Sequence, residues 1–350
     1  VVAQDISRMD GDRWITIALF IAALLVLGLL VWLAGVEETI SALERARLSL
    51  VAVVLALAVF WLASWGMSLY VVLDALGHPI SAVKSILVFS AAMFANNITP
   101  FGQAGGEPVS AFLISEAADT DYENGLAAIA SVDTLHFMPS IGMAFTGVAV
   151  FALDATRLSR DLYLSVAILG VLLAVFVLVG VSGYRYRHQI EHAIAIVVTP
   201  ILRLVARVIP GREPPSPEAI EHRIDGFFGA IERIASDREA ILKATAFSAA
   251  GWVALSVALW IAVSAVGGSV PLAAALIAVP IGSIAGVTPL PGGSGAIETA
   301  FAAILVSIGG ILQGTAVAAV LVHRIATYWL PTIVGGLVAA SLGASRARTE

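Results

Sequence analysis

Cysteine is absent from the chain, which excludes disulfides, thiolate metal sites and cysteine nucleophiles and leaves the redox compartment open. Charge is scarce as well. Only 13% of the residues are Asp, Glu, Lys or Arg, about half the share of a soluble domain. Neither glycine run ends in Gly-Lys-Ser/Thr, so there is no Walker-type nucleotide loop. No serine sits in a nucleophile elbow, and His136 and His323 lack a zinc-helix spacing such as H-E-x-x-H. The chain is therefore expected not to be an enzyme and to use no cofactor or metal. Its net charge of -6 lies in separate loops that act locally on lipid headgroups, so no nucleic acid partner is implied.

Apolar sequence is what the chain has in abundance. Hydrophobic residues make up 59% of it, and the mean hydropathy is +0.96. This composition is that of an integral membrane protein. A transmembrane helix needs about 20 mostly apolar residues, and six runs meet that length: 14–36, 50–76, 125–153, 162–183, 240–266 and 315–342. The first is about 34 Å long and lacks a small-residue cleavage site, so it reads as a retained span. Four shorter arms form two pairs, 82–98 with 107–118 and 271–287 with 295–311. At about 18 Å, the arm 107–118 is too short for a hydrocarbon core of about 30 Å, so its pair should be a re-entrant hairpin.

The expected fold is thus an all-α polytopic membrane protein, an inverted repeat with two re-entrant helical hairpins and about six full transmembrane spans. Residues 1–49 hold an N-terminal span and outer turn, and 50–153 a first repeat with hairpin 82–118. A connecting span, 154–183, and a cytoplasmic amphipathic segment, 184–239, follow. A second repeat, 240–342, carries hairpin 271–311 and ends in a cytoplasmic tail, 343–350.

Arginine and lysine orient the chain, because loops rich in them stay in the cytoplasm. Segment 184–239 carries Arg185, Arg187, Arg203, Arg207, Arg212, Arg223, Arg233 and Arg238, and the tail carries Arg346 and Arg348. Counting back through the spans puts the N-terminus, with Arg8 and Arg13, on the same side of the cell (plasma) membrane. The loop "SEAADTDYEN" falls inside despite its acidity, and the glutamate-rich "VEETISALERA" forms an outer turn. Within 184–239, Ile220, Ile224, Phe227, Ile231 and Ile234 follow helical spacing. They describe an amphipathic helix, lying on the cytoplasmic leaflet or packed on the protein's own cytoplasmic face.

One order of features occurs twice. "ALGHPISAVKSILVFSAAMFANNITPFGQAGGE" and "AVGGSVPLAAALIAVPIGSIAGVTPLPGGSGAIE" each run turn, short apolar arm, Thr-Pro, glycines, glutamate. Downstream, "GLAAIASVDTLHFMPSIG" answers "GTAVAAVLVHRIATYWLPTIVG". Three full spans separate the unit starts at Leu50 and Ala240, and an odd number inverts the second unit. The hairpins then enter from opposite sides and their tips meet near the midplane, as in alternating-access transporters.

Irregular backbone inside a bilayer persists only where protein buries it or where it lines a watered cavity. Thr99-Pro100 and Thr288-Pro289 end their helices, because proline lacks the amide hydrogen and restricts the residue before it. Pro291 and the glycines Gly102, Gly105, Gly106, Gly292, Gly293 and Gly295 permit sharp turns and close backbone approach. Helices that restart beyond them aim free amide hydrogens at a phosphate or carboxylate.

Glu107 and Glu298 stand at these restarts. A carboxylate near the bilayer centre costs about 3 kcal/mol, so each needs a partner, a proton or water. Either they take protons or a substrate amine, or each caps its own helix and pairs with an arginine. Arg324 is placed to hold an anionic headgroup through paired hydrogen bonds, or to bridge to Glu298 or Asp133. His136 and His323, on matching spans, either relay protons or make one interhelical hydrogen bond each. Asn96 and Asn97 line the same cavity or cap the broken arm. The candidate substrate-binding set is therefore Asn97, Thr99, Gly105, Gly106, Glu107, Asp133, His136, Pro291, Gly292, Gly293, Gly295, Glu298, His323 and Arg324.

Three ordered motifs among these residues resemble a known group. "NITPFGQAGGE", from Asn97 to Glu107, is similar to the Asn, Pro, Gly-Gly-Glu signature of the membrane domain of the lysylphosphatidylglycerol synthase/flippase family. "PGGSGAIE" and "HRIATYWLP" resemble that family's second glycine motif and its arginine-to-proline span. The resemblance covers roughly 50–342 and implies movement of a lipid, or of a lipid-linked headgroup, between leaflets. Gln103 stands where that family commonly has arginine, and Pro108 follows the glutamate. In the aminoacylating branch a soluble transferase domain follows the membrane part, whereas this sequence ends at Glu350, so the expectation is translocation rather than aminoacylation.

Function is accordingly expected to be flipping of an anionic, aminoacylated or polyprenyl-phosphate-linked lipid, with protons as the coupling ion. Two alternatives stay open. One is a proton-coupled secondary transporter of a small solute; the other is a non-transporting membrane partner of a glycosyltransferase or lipid-modifying enzyme, recruited through 184–239.

Overall fold

The computed structural model describes residues 21–154, 178, 185, 217–286 and 288–346. All of its regular elements are helices, and no strand occurs among the described residues. In chain order they are α1 (Ile21–Ala34), α2 (Val36–Glu44), α3 (Leu48–Ala75), α4 (Ala82–Ile98), α5 (Gln103–Ala118) and α6 (Tyr122–Asp154). After α6 come α7 (Pro217–Ser236), α8 (Arg238–Ala265), α9 (Leu272–Ile284), α10 (Ala296–Gly309), α11 (Gln313–Arg324) and α12 (Leu330–Arg346). Five helical stretches among the described residues are long and apolar enough to cross a membrane, or six if the bent pair α1–α2 is one span. The chain is an integral, multi-pass helical membrane protein.

The spans expected at 50–76, 125–153 and 240–266 correspond to α3, α6 and α8. The run 315–342 is covered by α11 and α12, joined through a π-helical turn, Ile325–Trp329. Pro331 explains the wide turn, because it has no amide hydrogen to return to the preceding helical turn. Apart from Leu178, the run 162–183 lies outside the described residues.

Two expectations change. "VEETISALERA" is not a turn: Val36–Glu44 is a helix, set at 92° to α1. The bend falls at Gly35, whose φ of 92° suits glycine. The arm expected at 107–118 begins at Gln103, which places Gly105, Gly106 and Pro108 inside a helix rather than a loop. The reversal is made upstream, by Phe101 and Gly102 with φ of 62° and 55°. The two glycines serve close packing instead, since a Cβ on Gly105 would strike the Pro100 carbonyl and one on Gly106 would strike Asn96.

The centre of the molecule is the antiparallel pair α3 and α8. The Arg47 amide donates to the Ala265 carbonyl at 2.9 Å, and Trp65 Nε1 donates to the Ser248 carbonyl at 3.2 Å further along the pair. Leu69, Val72, Leu73 and Leu259 are wholly buried here, while Val53, Val59 and Phe60 on other faces of α3 stay exposed. A helix apolar on every side can meet core and lipid at once.

Packing between the two halves is reciprocal. From the first half, α4 packs on α12, where Gly335 lets the Ser90 backbone come close. From the second, α9 packs on α6, where Gly147 admits Ile277 and Leu276. The first arm of each pair thus rests on the last span of the opposite half.

Helix α7 settles against the protein's own surface. Ala230 and Ile234 are buried, Phe227 and Ile231 pack on the core, and Arg223 Nε lies 3.3 Å from Glu123 at the start of α6. These apolar positions recur every three or four residues, which turns one face inward.

Candidate functional site

The second break is held by a connected set of polar contacts. After Thr288-Pro289 the chain makes a short 3₁₀ turn, Pro291–Gly293, and restarts as α10. Glu298 stands in the first turn of α10, and its Oε2 accepts from the Gly295 amide at 2.5 Å, which caps the helix. Its Oε1 accepts from Arg324 Nε at 2.6 Å, and Arg324 Nη2 donates to the Gly292 carbonyl at 3.2 Å. The guanidinium also lies 4.8 Å above the Tyr328 ring. Side chains of this pair are 14% and 6% exposed, so each charge depends on the other. Of the two roles open to Arg324 and Glu298, the structure therefore displays the capped ion pair.

The first break is held to the last span, beside the second break. Asn97 Nδ2 donates to the Tyr328 carbonyl at 3.2 Å and to Thr332 Oγ1 at 2.8 Å, while the Tyr328 hydroxyl donates to the Asn97 carbonyl at 3.1 Å. Gly292, with φ of 56°, leaves the room these contacts need, since a Cβ there would meet the Tyr328 ring and Asn97. Thr99 turns back on its own helix, donating to the Ala95 carbonyl at 2.8 Å.

The first break carries its charge differently. Glu107, half-exposed, makes no hydrogen bond or ion pair among the described residues. Asp133 on α6 lies close enough to Glu107 and Gln103 to be influenced by both, and its Oδ2 is buried without a partner. Phe101, at the reversal before α5, and Phe137 and Met138, about one turn beyond Asp133 on α6, are exposed at 55%, 52% and 58%.

Neither histidine joins the breaks. His136 stacks on Trp65 with ring centroids 4.1 Å apart, and its carbonyl accepts from Trp252 Nε1 at 3.0 Å. His323 Nε2 lies 3.2 Å from the Leu255 carbonyl, and the ring packs edge-on against Phe301. The His136 ring thus meets α3 and α4, and the His323 ring meets α8 and α10. The candidate set divides three ways: Asn97, Pro291, Gly292, Gly293, Gly295, Glu298 and Arg324 around the clasp, Thr99, Gly105, Gly106, Glu107 and Asp133 at the first break, and the two histidines in the core.

Sequence reasoning missed Gln103 as a neighbour of Asp133, and Tyr328 and Thr332 as the groups that hold Asn97. A signal for the latter existed. Arg324, Tyr328 and Thr332 stand four residues apart, a polar stripe along an otherwise apolar span.

Broken helices that carry carboxylates and a guanidinium between apolar spans define a polytopic membrane protein with a polar interior site. The chain belongs to the family described as the lysylphosphatidylglycerol synthase TM region, which its residues 17–335 match. It is similar to a UPF0104 membrane protein of Methanothermobacter thermautotrophicus, 28% identical over 337 residues, 93% of this chain and 92% of that one. A UPF0104 membrane protein of Pyrococcus horikoshii is 23% identical over 318 residues, 89% of this chain and 92% of that one.

Proposed function

We propose that the protein moves a lipid, or a lipid-linked headgroup, from one leaflet of the cell membrane to the other by alternating access between two inverted halves. One observation carries this reading: Glu107 and Asp133 act on each other without a basic partner, one oxygen of Asp133 is buried and unsatisfied, and Phe137 and Met138, about one turn beyond Asp133 on α6, are exposed. Charge next to an apolar exposed surface suits a substrate whose headgroup enters the protein while its tails remain in lipid. The family, described by a lipid-modifying enzyme's membrane region, supports the substrate class. Reciprocal seating of α4 on α12 and α9 on α6 supports the inverted halves.

Under this proposal the acidic pair takes an amine or a proton. Arg324 takes the phosphate of an anionic, aminoacylated or polyprenyl-phosphate lipid only after leaving Glu298, so opening the clasp accompanies exchange of the site between sides. No chemical step is assigned to the chain, and the arginines of 184–239 support a topology with both termini in the cytoplasm.

The test is dithionite quenching of fluorescent phospholipid in vesicles containing the purified protein. Glu107→Gln and Arg324→Ala are each expected to slow headgroup movement about ten-fold, the scale of one lost charge-assisted contact. Movement at the native rate in both variants would overturn the proposal. A small-solute carrier would instead leave lipid movement at the rate of empty vesicles.

A further inference from the structure

Six buried polar atoms on three neighbouring helices lack a hydrogen-bond partner among the described residues: Trp61 Nε1 and Ser68 Oγ on α3, Asp133 Oδ2 and His136 Nε2 on α6, and Thr245 Oγ1 and Ser248 Oγ on α8. They share one locality. Trp65 is the hub, stacked on His136, 5.3 Å from the Trp61 ring and bonded to the Ser248 carbonyl. From that level each helix places a second orphan three residues away, on the same face: Ser68 from Trp65, Asp133 from His136 and Thr245 from Ser248.

All three steps run in one direction. Ser68 lies near the C-terminal end of α3, while Thr245 and Asp133 lie in the N-terminal halves of α8 and α6. Those ends gather at α7, which is packed on α6 and α8. By helical rise Ser68 and Thr245 are roughly 10 Å from that end and Asp133 roughly 16 Å. An orphaned buried polar group costs about 1–3 kcal/mol, so six together are tolerated only if something else satisfies them. Buried water does this, bridging polar groups that are two to four to a site.

We propose that this seam binds a file of waters and carries protons from the α7 side to Asp133. Because Glu107 lies close enough to act on Asp133, the seam would serve the acidic pair by a route separate from any lipid headgroup. The rings of Trp65 and Phe89 border the His136 ring, and Trp252 Nε1 donates to its carbonyl. Hydration of the seam stands whether or not a lipid is moved; its service to transport rests on the function proposed above.

Radiolytic footprinting of the protein in lipid nanodiscs tests the hydration, since hydroxyl radicals form from bound water. Trp61 and His136 should label about ten-fold faster than Phe301 if they border water, although all three are at most 5% exposed. Labelling at the Phe301 rate overturns the proposal. Ser68→Ala with Thr245→Val removes the outer hydroxyls and should lower His136 labelling about ten-fold, whereas unchanged labelling also overturns it. For the protons, dicyclohexylcarbodiimide modifies protonated carboxyls. Its reaction at Asp133 should follow a pH step in native protein and lag in the double variant; a rate indifferent to pH, or equal in both, overturns the path. Lipid quenching in the same preparation separates the two ideas. A dry seam with moving lipid sinks this inference alone, and a wet seam with static lipid sinks the flippase reading alone.

Discussion

Arg324 donates from Nε to Glu298 Oε1 at 2.6 Å, tying the first turn of α10 to the residue that opens the π-helical turn before Pro331. The same arginine holds the Gly292 carbonyl, so one side chain secures both the turn and the helix that follows it. Removing one partner of a buried pair costs about 3–5 kcal/mol, because the other charge stays behind. Arg324→Ala should therefore lower the thermal unfolding midpoint in detergent sharply. Glu298→Leu combined with Arg324→Met should recover much of the loss. A double variant as unstable as the single would show that the stranded charge is not the cause.

Asn97 and Tyr328 share two hydrogen bonds between the first break and the last span. Asn97→Ala and Tyr328→Phe should each cost about 1 kcal/mol, and the double variant less than their sum. Denaturant unfolding of the four proteins in the cycle measures the coupling, and strict additivity would mean that the two residues act apart.

Glycines at Gly106 and Gly142 should respond oppositely to alanine. A Cβ at Gly106 meets Asn96, whereas nothing lies within 4 Å of one at Gly142. Overpacking costs about 1–3 kcal/mol, while replacing an unhindered helical glycine gains up to about 1 kcal/mol. Thermal midpoints that move down for Gly106→Ala and up for Gly142→Ala are the expected result.

For α7, attachment should depend on its apolar face rather than its ion pair. Arg223 is 65% exposed, so Arg223→Ala should change stability by less than about 1 kcal/mol. Ile234 is buried, and Ile234→Ala should cost about 2–5 kcal/mol. Faster amide exchange across 217–236 in the second variant, and not in the first, is the check.

Much of this was readable in the chain. Apolar run lengths located α3, α6 and α8, and Thr99-Pro100 marked where the first short arm stops, because proline's missing amide is a local property; the second arm, expected to reach 287, ends earlier, at Ile284. Glu298 beside a glycine turn already carried the alternative of a capped, arginine-paired carboxylate. Other points were not local. The start of α5 at Gln103 depends on Phe101 adopting a positive φ, which a bulky residue takes only when its surroundings hold it there. That Gly105 and Gly106 serve packing rather than turning depends on Pro100 and Asn96 standing opposite them.

By itself the sequence determined the class: too little charge for a surface facing water, enough apolar length for several spans, and two breaks marked by Thr-Pro. Tertiary structure decided what the charges at those breaks do. Glu107 and Glu298 occupy matching places in the chain, yet Glu298 meets Arg324 whereas Glu107 lies close enough to act on Asp133. Which partner each carboxylate finds depends on helices far away in sequence, and side-chain chemistry alone cannot tell a paired carboxylate from a free one.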